Sequence, residues 1–412
     1  MSGLALNSKQ SASCQLTSAA CGVGSSANAA LAQCAALIAA EPELAAMLAA
    51  IQPADRFLGA LEEFARQHGI TLESDAKEII VGNRSVALGC RITAWPFAAR
   101  RGWQPFVLEW GPLGAELVWG CGAEHADAAF HESTVADLRA RPLNRLFAVR
   151  TPLTPEFTSA LEADALPIRG LIFHMSRCGS TLIGQALKAW PSVRVLSEPG
   201  LLDIAITLAY SGNDPDWRLF RAVLAALAQP AGDERCVVIK LDAWHALALA
   251  QILQRVPAGW LFVYRNPAEV MVSHAREPGR HTVPGMLPEA WLGTSRETAD
   301  QMSSREHGAR VIGAICAAIV PYARAPNLLN YDELPQALRT RVADSFGFDR
   351  AAADPAKLDA LLAVHAKRPY EPFADDRMTK RKAADASLRA AVERWIAPHY
   401  TALETIRHEG RA

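Results

Sequence analysis

Residues 168–335 predict an α/β fold built on a doubly wound parallel sheet, with P-loop-like topology. Three observations carry that reading. Short apolar runs at 171–173, 193–196, 237–240, 261–264 and 327–331 alternate with helical patterns. Such alternation covers both faces of a parallel sheet with helices and puts ligands at the carboxyl ends of the strands. The first and fourth runs lead straight into polar turns, 176–181 and 265–267, each followed by a helical pattern.

The first turn reads Ser176-Arg177-Cys178-Gly179-Ser180-Thr181, and Leu182, Ile183, Ala186 and Leu187 then fall on one helical face. Strand, tight turn and helix form a geometry that holds anions, because the first helical N–H groups have no internal partner. Arg177 adds a full charge, Gly179 lets backbone approach a ligand, and Ser180 and Thr181 add hydroxyls. The nucleotide-triphosphate loop needs a lysine before its Ser/Thr. Here Gly179 holds that place, and the basic residue sits earlier. Plain capping of an apolar helix is the alternative reading of this turn.

The fourth run, 260–264, ends in Arg265-Asn266-Pro267, and Ser273 lies two turns into the helix that follows. Proline suits a first helical turn, where its missing N–H is not needed. A guanidinium and a hydroxyl converging from such a turn suit a phosphate dianion. Between the two turns lie Ser197-Glu198-Pro199, which ends the second strand, and Lys240-Leu241-Asp242, which ends the third.

Together these motifs resemble the sulfotransferases that use 3′-phosphoadenylyl sulfate (PAPS). The loop 176–181 is similar to that family's 5′-phosphosulfate loop. Arg265 and Ser273, at their spacing, are similar to its 3′-phosphate motif. The resemblance covers roughly 168–335 and implies that Arg177, Cys178, Gly179, Ser180, Thr181, Arg265 and Ser273 bind the cofactor. Locally the stretch through Glu198 looks like the tyrosylprotein sulfotransferases, which implies Glu198 as general base. A cap for the next helix is the alternative for Glu198. Small-molecule sulfotransferases carry a catalytic histidine two residues after the strand-end lysine; here Asp242 stands there, so Asp242 is second candidate for base. His174, His245 and His274 are further ones. Lys240 is expected to stabilise the leaving oxygen or to snorkel from its strand. No metal is required on this reading. The family's basic loop near the carboxyl terminus is matched only in part by Arg381-Lys382-Ala383.

The remaining chain predicts a disordered tail over 1–30, a helical and β-rich accessory domain over 31–150, and the P-loop α/β domain over 151–412. Residues 56–70 read as an amphipathic helix with a glycine stop. The helical unit faintly resembles leader-peptide modules of ribosomal peptide biosynthesis, as any helical hairpin would. Residues 86–93, 106–110 and 115–120 suggest short strands, and Trp95, Trp103, Trp110 and Trp119 concentrate there, chiefly for packing. His125, Asp127 and His131 lack a well-spaced further metal ligand. Residues 275–307, rich in Arg, Pro and Gly, suit a lid or acceptor-binding loop. A final helix is expected from Ala383 to about Ile406.

The 412 residues carry a net charge of −1, which argues against a general nucleic-acid binder. No apolar run approaches the roughly 18 residues of a membrane span. The start of the chain lacks a signal-peptide pattern, and the eight cysteines are scattered without zinc spacing. These features predict a cytoplasmic protein. Cys178, beside Arg177 at a helix start, is expected to have a lowered pKa. The leading expectation is therefore a sulfotransferase moving the sulfuryl group of PAPS to a hydroxyl or amine of a small-molecule or peptide acceptor. The runner-up is a phosphotransferase using ATP or GTP, with Asp242 as a magnesium ligand. A third reading is a nucleotide-binding or peptide-recruiting protein without catalysis. The sequence sets neither the acceptor nor the oligomeric state.

Overall fold

The computed structural model describes residues 26–72, 88–122, 128–372 and 376–410. His125, Asp127 and the expected tail up to residue 25 lie outside the described residues. The tail expectation is corrected at its end, because helix α1 already begins at Ser26 (Ser26–Ala40). The chain forms two compact units. One comprises Met1–Glu124, Thr134–Ala165 and Arg221–Gly232; the other comprises His125–Ser133, Leu166–Phe220 and Asp233–Ala412.

The first unit opens with α1, α2 (Pro42–Ala49) and α3 (Ala54–Gln67). Its sheet has strands β1 (Leu88–Arg91), β2 (Trp103–Gly111), β3 (Gly114–Cys121) and β4 (Phe147–Pro152) in the order β1-β4-β3-β2. Helix α3 is strongly amphipathic and buries Phe57, Leu58, Leu61 and Phe64, the stripe expected of a surface helix. Trp95 meets Trp103 and Trp119 edge-on at 5.4 and 5.6 Å, and all three are buried. Packing thus accounts for three of the four tryptophans here, while Trp110 is exposed. Helix α4 (Pro155–Asp164) is capped by Thr154, whose Oγ1 accepts from the Phe157 N–H. Buried Arg100 donates to Asp164 at 2.5 Å, to Gln229 at 3.1 Å and to the Trp95 carbonyl at 2.7 Å. Its charge is therefore compensated where it is removed from water.

The second unit is α/β, with an all-parallel five-stranded sheet. Strands β5 (Ile168–His174), β6 (Val193–Ser197), β7 (Cys236–Lys240), β8 (Gly259–Tyr264) and β9 (Leu328–Asn330) run in the order β6-β7-β5-β8-β9. The apolar runs predict all five within a few residues. Register aligns Ile172 and Ser197 with Lys240, His174 with Val263, and Tyr264 with Asn330. Every strand therefore ends on the same edge of the sheet. Helices α5 (Ser180–Ala186), α6 (Gly200–Tyr210), α7 (Leu249–Arg255), α8 (Pro267–Arg276) and α9 (Ser304–Ile319) follow. A hairpin, β10 (Val364–His365) and β11 (Arg368–Pro372), comes next. Three helices, α10 (Arg377–Ala383), α11 (Ala386–Trp395) and α12 (Ala397–Glu409), end the described chain, and the last two divide the span expected to be one helix. Asp385 starts the second by accepting from the Leu388 N–H, and Pro398 lies in the first turn of the third. Among the described residues no single helix is long and apolar enough to cross a membrane.

Candidate active site

The carboxyl edge of the parallel sheet opens onto a cavity of about 820 Å³. Its lining includes Arg177, Cys178, Gly179, Ser180 and Thr181 from the loop after β5, Glu198 after β6, Asp242 after β7, and Arg265 and Ser273 after β8. Of the sequence-predicted site residues, Lys240 and two of the further base candidates, His245 and His274, are not part of the lining; Lys240 touches the site through Glu198.

The loop after β5 is held in an uncommon backbone shape. Ser176 and Arg177 have positive φ (71° and 48°), as does Gly179 (87°). For non-glycine residues such conformations cost free energy and persist where surroundings impose them. His174 Nδ1 accepts from the Ser176 N–H at 3.1 Å and pins the start of the turn. A Cβ at Gly179 would lie 2.8 Å from the Tyr331 ring, so glycine is required there by space as well as by φ. Arg177 donates to the Glu277 carboxylate at 3.1 Å and to its carbonyl at 2.7 Å. Cys178 differs from expectation. Its thiol is fully buried and donates to the Val263 carbonyl, and burial pushes its pKa up to about 11. Desolvation of the thiolate outweighs the loop's positive charge.

Glu198 does not cap the next helix: α6 has Pro199 at its N-cap and no side-chain cap. It too has positive φ (53°), and its N–H donates to the Lys240 carbonyl at 2.7 Å. Its carboxylate forms an ion pair with Lys240 and lies 3.4 Å from His174 Nε2. Burial opposes ionisation of Glu198, but the Lys240 ammonium and His174 outweigh it and hold its pKa well below the carboxylate range. Lys240 does not snorkel; its side chain is 0% exposed and its Nζ lies 5.3 Å from the centre of the Phe130 ring. His174 is buried, and Nε2 is 2.9 Å from the Leu241 carbonyl. Burial and then the Lys240 charge lower its pKa.

Asp242 starts the turn after β7 and shares a reciprocal capping box with His245. Its carboxyl is raised to about 7, first by burial, with the Glu198 and Asp203 carboxylates adding to it against His245. Asp203 ties this turn together: it accepts from Trp244 Nε1 at 2.8 Å and from Arg280 at 3.4 Å, and lies 3.0 Å from His245 Nε2. Asp203, Asp242 and His245 bring potential ligand atoms within 4.8 Å of one another. Both His245 ring nitrogens are engaged by protein groups, Nδ1 by the Asp242 N–H and Nε2 by Asp203.

At the other end, Arg265 is surrounded by carboxylates. Nε donates to buried Glu269 at 2.6 Å, a terminal nitrogen donates to Asp376 at 2.8 Å, and the guanidinium lies 4.0 Å over the Tyr331 ring. Lys380 pairs with Asp376, and Arg381 donates to the second oxygen of Glu269. Lys380 and Arg381 of the basic run are therefore built into this end of the site. Ser273 lines the cavity, but its hydroxyl donates to the Glu269 carbonyl at 2.9 Å, a back-bond common for serine inside helices.

Sequence reasoning missed several lining residues. Trp244, His281, Lys367 and Arg368 border the cavity. Lys367, on the β10–β11 hairpin, places Nζ 5.3 Å from the Phe130 ring, the ring Lys240 also faces. The run His365-Ala-Lys-Arg was the available signal; its distance in sequence from the other motifs concealed it.

No protein-family model and no curated protein matches the chain. Nine chains of known structure match it. Among them is the sulfotransferase domain from the Synechococcus PCC 7002 olefin synthase, which is 16% identical over 59% of this chain and 94% of that one, with a TM-score of 0.30. A likeness of that size establishes neither a common activity nor a common site.

Proposed function

We propose that this protein is a sulfotransferase that moves the sulfuryl group of PAPS to an acceptor. The observation that carries the proposal is convergence: the 176–181 loop and the Arg265–Ser273 pair line one cavity, at the ends of adjacent strands β5 and β8. A ligand with anionic groups at two places fits such a cavity better than one with a single phosphate cluster. The donor set also fits. Arg265 grips two carboxylates, and phosphate oxygens can replace the half-exposed one, Asp376.

The nucleotide, when bound, supplies an activated sulfuryl group. Arg177 and the loop backbone hold its 5′ end, and Arg265, Lys380 and Ser273 hold its 3′-phosphate, with the Ser273 hydroxyl turning from the Glu269 carbonyl. Lys240 balances charge on the oxygen that leaves. As Lys240 turns from Glu198 towards that oxygen, the Glu198 carboxylate regains basicity and accepts the proton of the attacking group. Positioned charge of this kind needs no rearrangement of solvent at the moment of transfer.

The Asp203, Asp242 and His245 cluster favours a second reading, a magnesium-dependent phosphotransferase, in which a metal displaces the present hydrogen bonds. Thermal unfolding separates the two. The sulfotransferase reading expects a rise in Tm with 3′-phosphoadenosine 5′-phosphate and none with ATP and magnesium; the reverse pattern sinks it. Glu198→Gln is expected to keep the nucleotide shift and to lose roughly 10²–10⁴-fold in transfer. Retained turnover would remove Glu198 as the base.

A further inference from the structure

Among the described residues, seven Arg and Lys side chains line the cavity, and five of them meet a carboxylate. Arg177 pairs with Glu277, Arg265 with Glu269, Arg280 with Asp203, Arg368 with Glu371 and Lys380 with Asp376. Among the described residues no carboxylate pairs with the other two, Arg276 and Lys367. Arg276 closes α8, where the helix dipole favours a cation. Lys367 has no such support. It sits in the turn of the β10–β11 hairpin, where its N–H donates to His365 Nδ1 at 3.3 Å.

The hairpin sets this ammonium beside the place of transfer. Its Nζ lies 5.3 Å from the centre of the Phe130 ring, and so does Nζ of Lys240. The two ammonium groups are therefore separated by at most twice that distance, and Lys240 is paired with Glu198. The charges that act most on Lys367 are those of Arg177, Glu198, Lys240 and Glu277, which surround the 176–181 loop and the Glu198 carboxylate rather than Arg265. The residue is exposed, but its ammonium end is walled in: desolvation, then the Arg177 charge, lowers its pKa. An ammonium that is partly desolvated beside other cations, without a counter-charge, is stabilised by an anion that arrives from the cavity.

Resting on the sulfotransferase reading, we propose that Lys367 Nζ binds the sulfuryl group of PAPS itself, so that the hairpin distinguishes the sulfated donor from the spent nucleotide. The two nucleotides share their phosphates, and the groups assigned to those phosphates, Arg177 and Arg265, cannot tell them apart. An ammonium has three donors and no fixed plane, which suits the oxygens of a sulfuryl group. The two lysines then divide the charge. Lys240 serves the oxygen that stays on the nucleotide, and Lys367 serves the oxygens that leave with sulfur. In the transfer the bond from sulfur to the bridging phosphate oxygen breaks with its electron pair on the nucleotide. The acceptor atom bonds to sulfur, and its proton passes to Glu198. Lys367 keeps its proton throughout.

The test is isothermal titration of the full chain, kept cold to limit turnover, with PAPS and separately with 3′-phosphoadenosine 5′-phosphate. Lys367→Met should weaken PAPS binding by roughly tenfold or more, the scale of one charge-assisted hydrogen bond. It should leave the affinity for 3′-phosphoadenosine 5′-phosphate within about threefold. Lys367→Arg, which keeps the charge, should recover part of the loss. Both variants should melt within about 2 °C of the parent, because Lys367 is exposed and has no carboxylate partner among the described residues. Trypsin cleavage after Lys367 gives a second measure that needs no variant: saturating PAPS should slow it more than saturating 3′-phosphoadenosine 5′-phosphate. An equal loss of both affinities would place Lys367 at a phosphate common to the two nucleotides, and no loss of either would leave it a surface cation; each overturns the proposal, as does equal protection from trypsin. A parent protein that binds neither nucleotide removes the sulfotransferase reading, and this inference with it; a parent that binds both, with no discrimination lost in Lys367→Met, overturns this inference alone.

Discussion

Glu198 and Asp242, one residue beyond or two beyond neighbouring strand ends, show how differently two carboxyls can behave in one cavity. Lys240 holds Glu198 ionised, while Asp242 lacks such a partner and is raised by burial to about 7. The sign of the stability effect follows. A carboxyl whose folded pKa lies above its unfolded value stabilises the fold while it keeps its proton, and that contribution is lost as pH rises through the folded pKa. Asp242→Asn mimics the protonated form. It should therefore stabilise the protein at pH 8 by about 1.4 kcal/mol or more, the equivalent of one pKa unit, and by little at about pH 4, where an unfolded aspartate also keeps much of its proton. Denaturant unfolding at the two pH values measures this; an equal effect at both would show that Asp242 does not titrate in that interval. Cys178 teaches the same lesson from the other side. A thiol beside an arginine at a helix start reads as reactive, yet full burial decides its state.

At the scale of elements, the Arg265 end of the cavity is an internal ion exchange. Helix α10 contributes Lys380 and Arg381, and the residue before it, Asp376, occupies Arg265. Asp376 makes no side-chain cap for α10, so its removal leaves the helix start intact. Asp376→Asn should tighten binding of 3′-phosphoadenosine 5′-phosphate by roughly three- to tenfold, the scale of one charge-assisted contact. Isothermal titration checks it; weaker binding would mean that Asp376 orders the site instead of competing for it. The strands and the two turns that follow β5 and β8 were legible in sequence because each is a local pattern: an apolar run, a turn, a helical face. The α10 contribution was only half legible, since a basic run beside Asp376 reads equally as a solvated helix start. Lys367 was not legible as a site residue, and His281 was legible only as part of the 275–307 stretch. Their places depend on the Gly279 turn and the β10–β11 hairpin, which bring distant segments to one wall. Likewise, two late helices replace the expected one because Pro398 interrupts a pattern that remains helical throughout.

At the scale of the molecule, the first unit is discontinuous in sequence, with its third segment, Arg221–Gly232, lying beyond two strands of the other unit. Within it Gln229 donates to the Leu161 carbonyl at 2.8 Å and accepts from Arg100. A fragment beginning at Leu166 would keep residues 221–232 and lose those partners. It should be poorly soluble and cut by protease within 221–232, where the full chain is protected; a soluble, resistant fragment would show that this segment folds independently.

The same discontinuity sets an order of events on the ribosome. The first unit cannot close until residue 232 has emerged, and by then β5 and β6 are already outside. Those two strands are not neighbours; β7, at Cys236–Lys240, must come between them. Both units thus wait for nearly the same stretch of chain. Until it arrives, β5 and β6 are apolar strands without the neighbour that joins them, the situation in which newly made chains most need protection from aggregation.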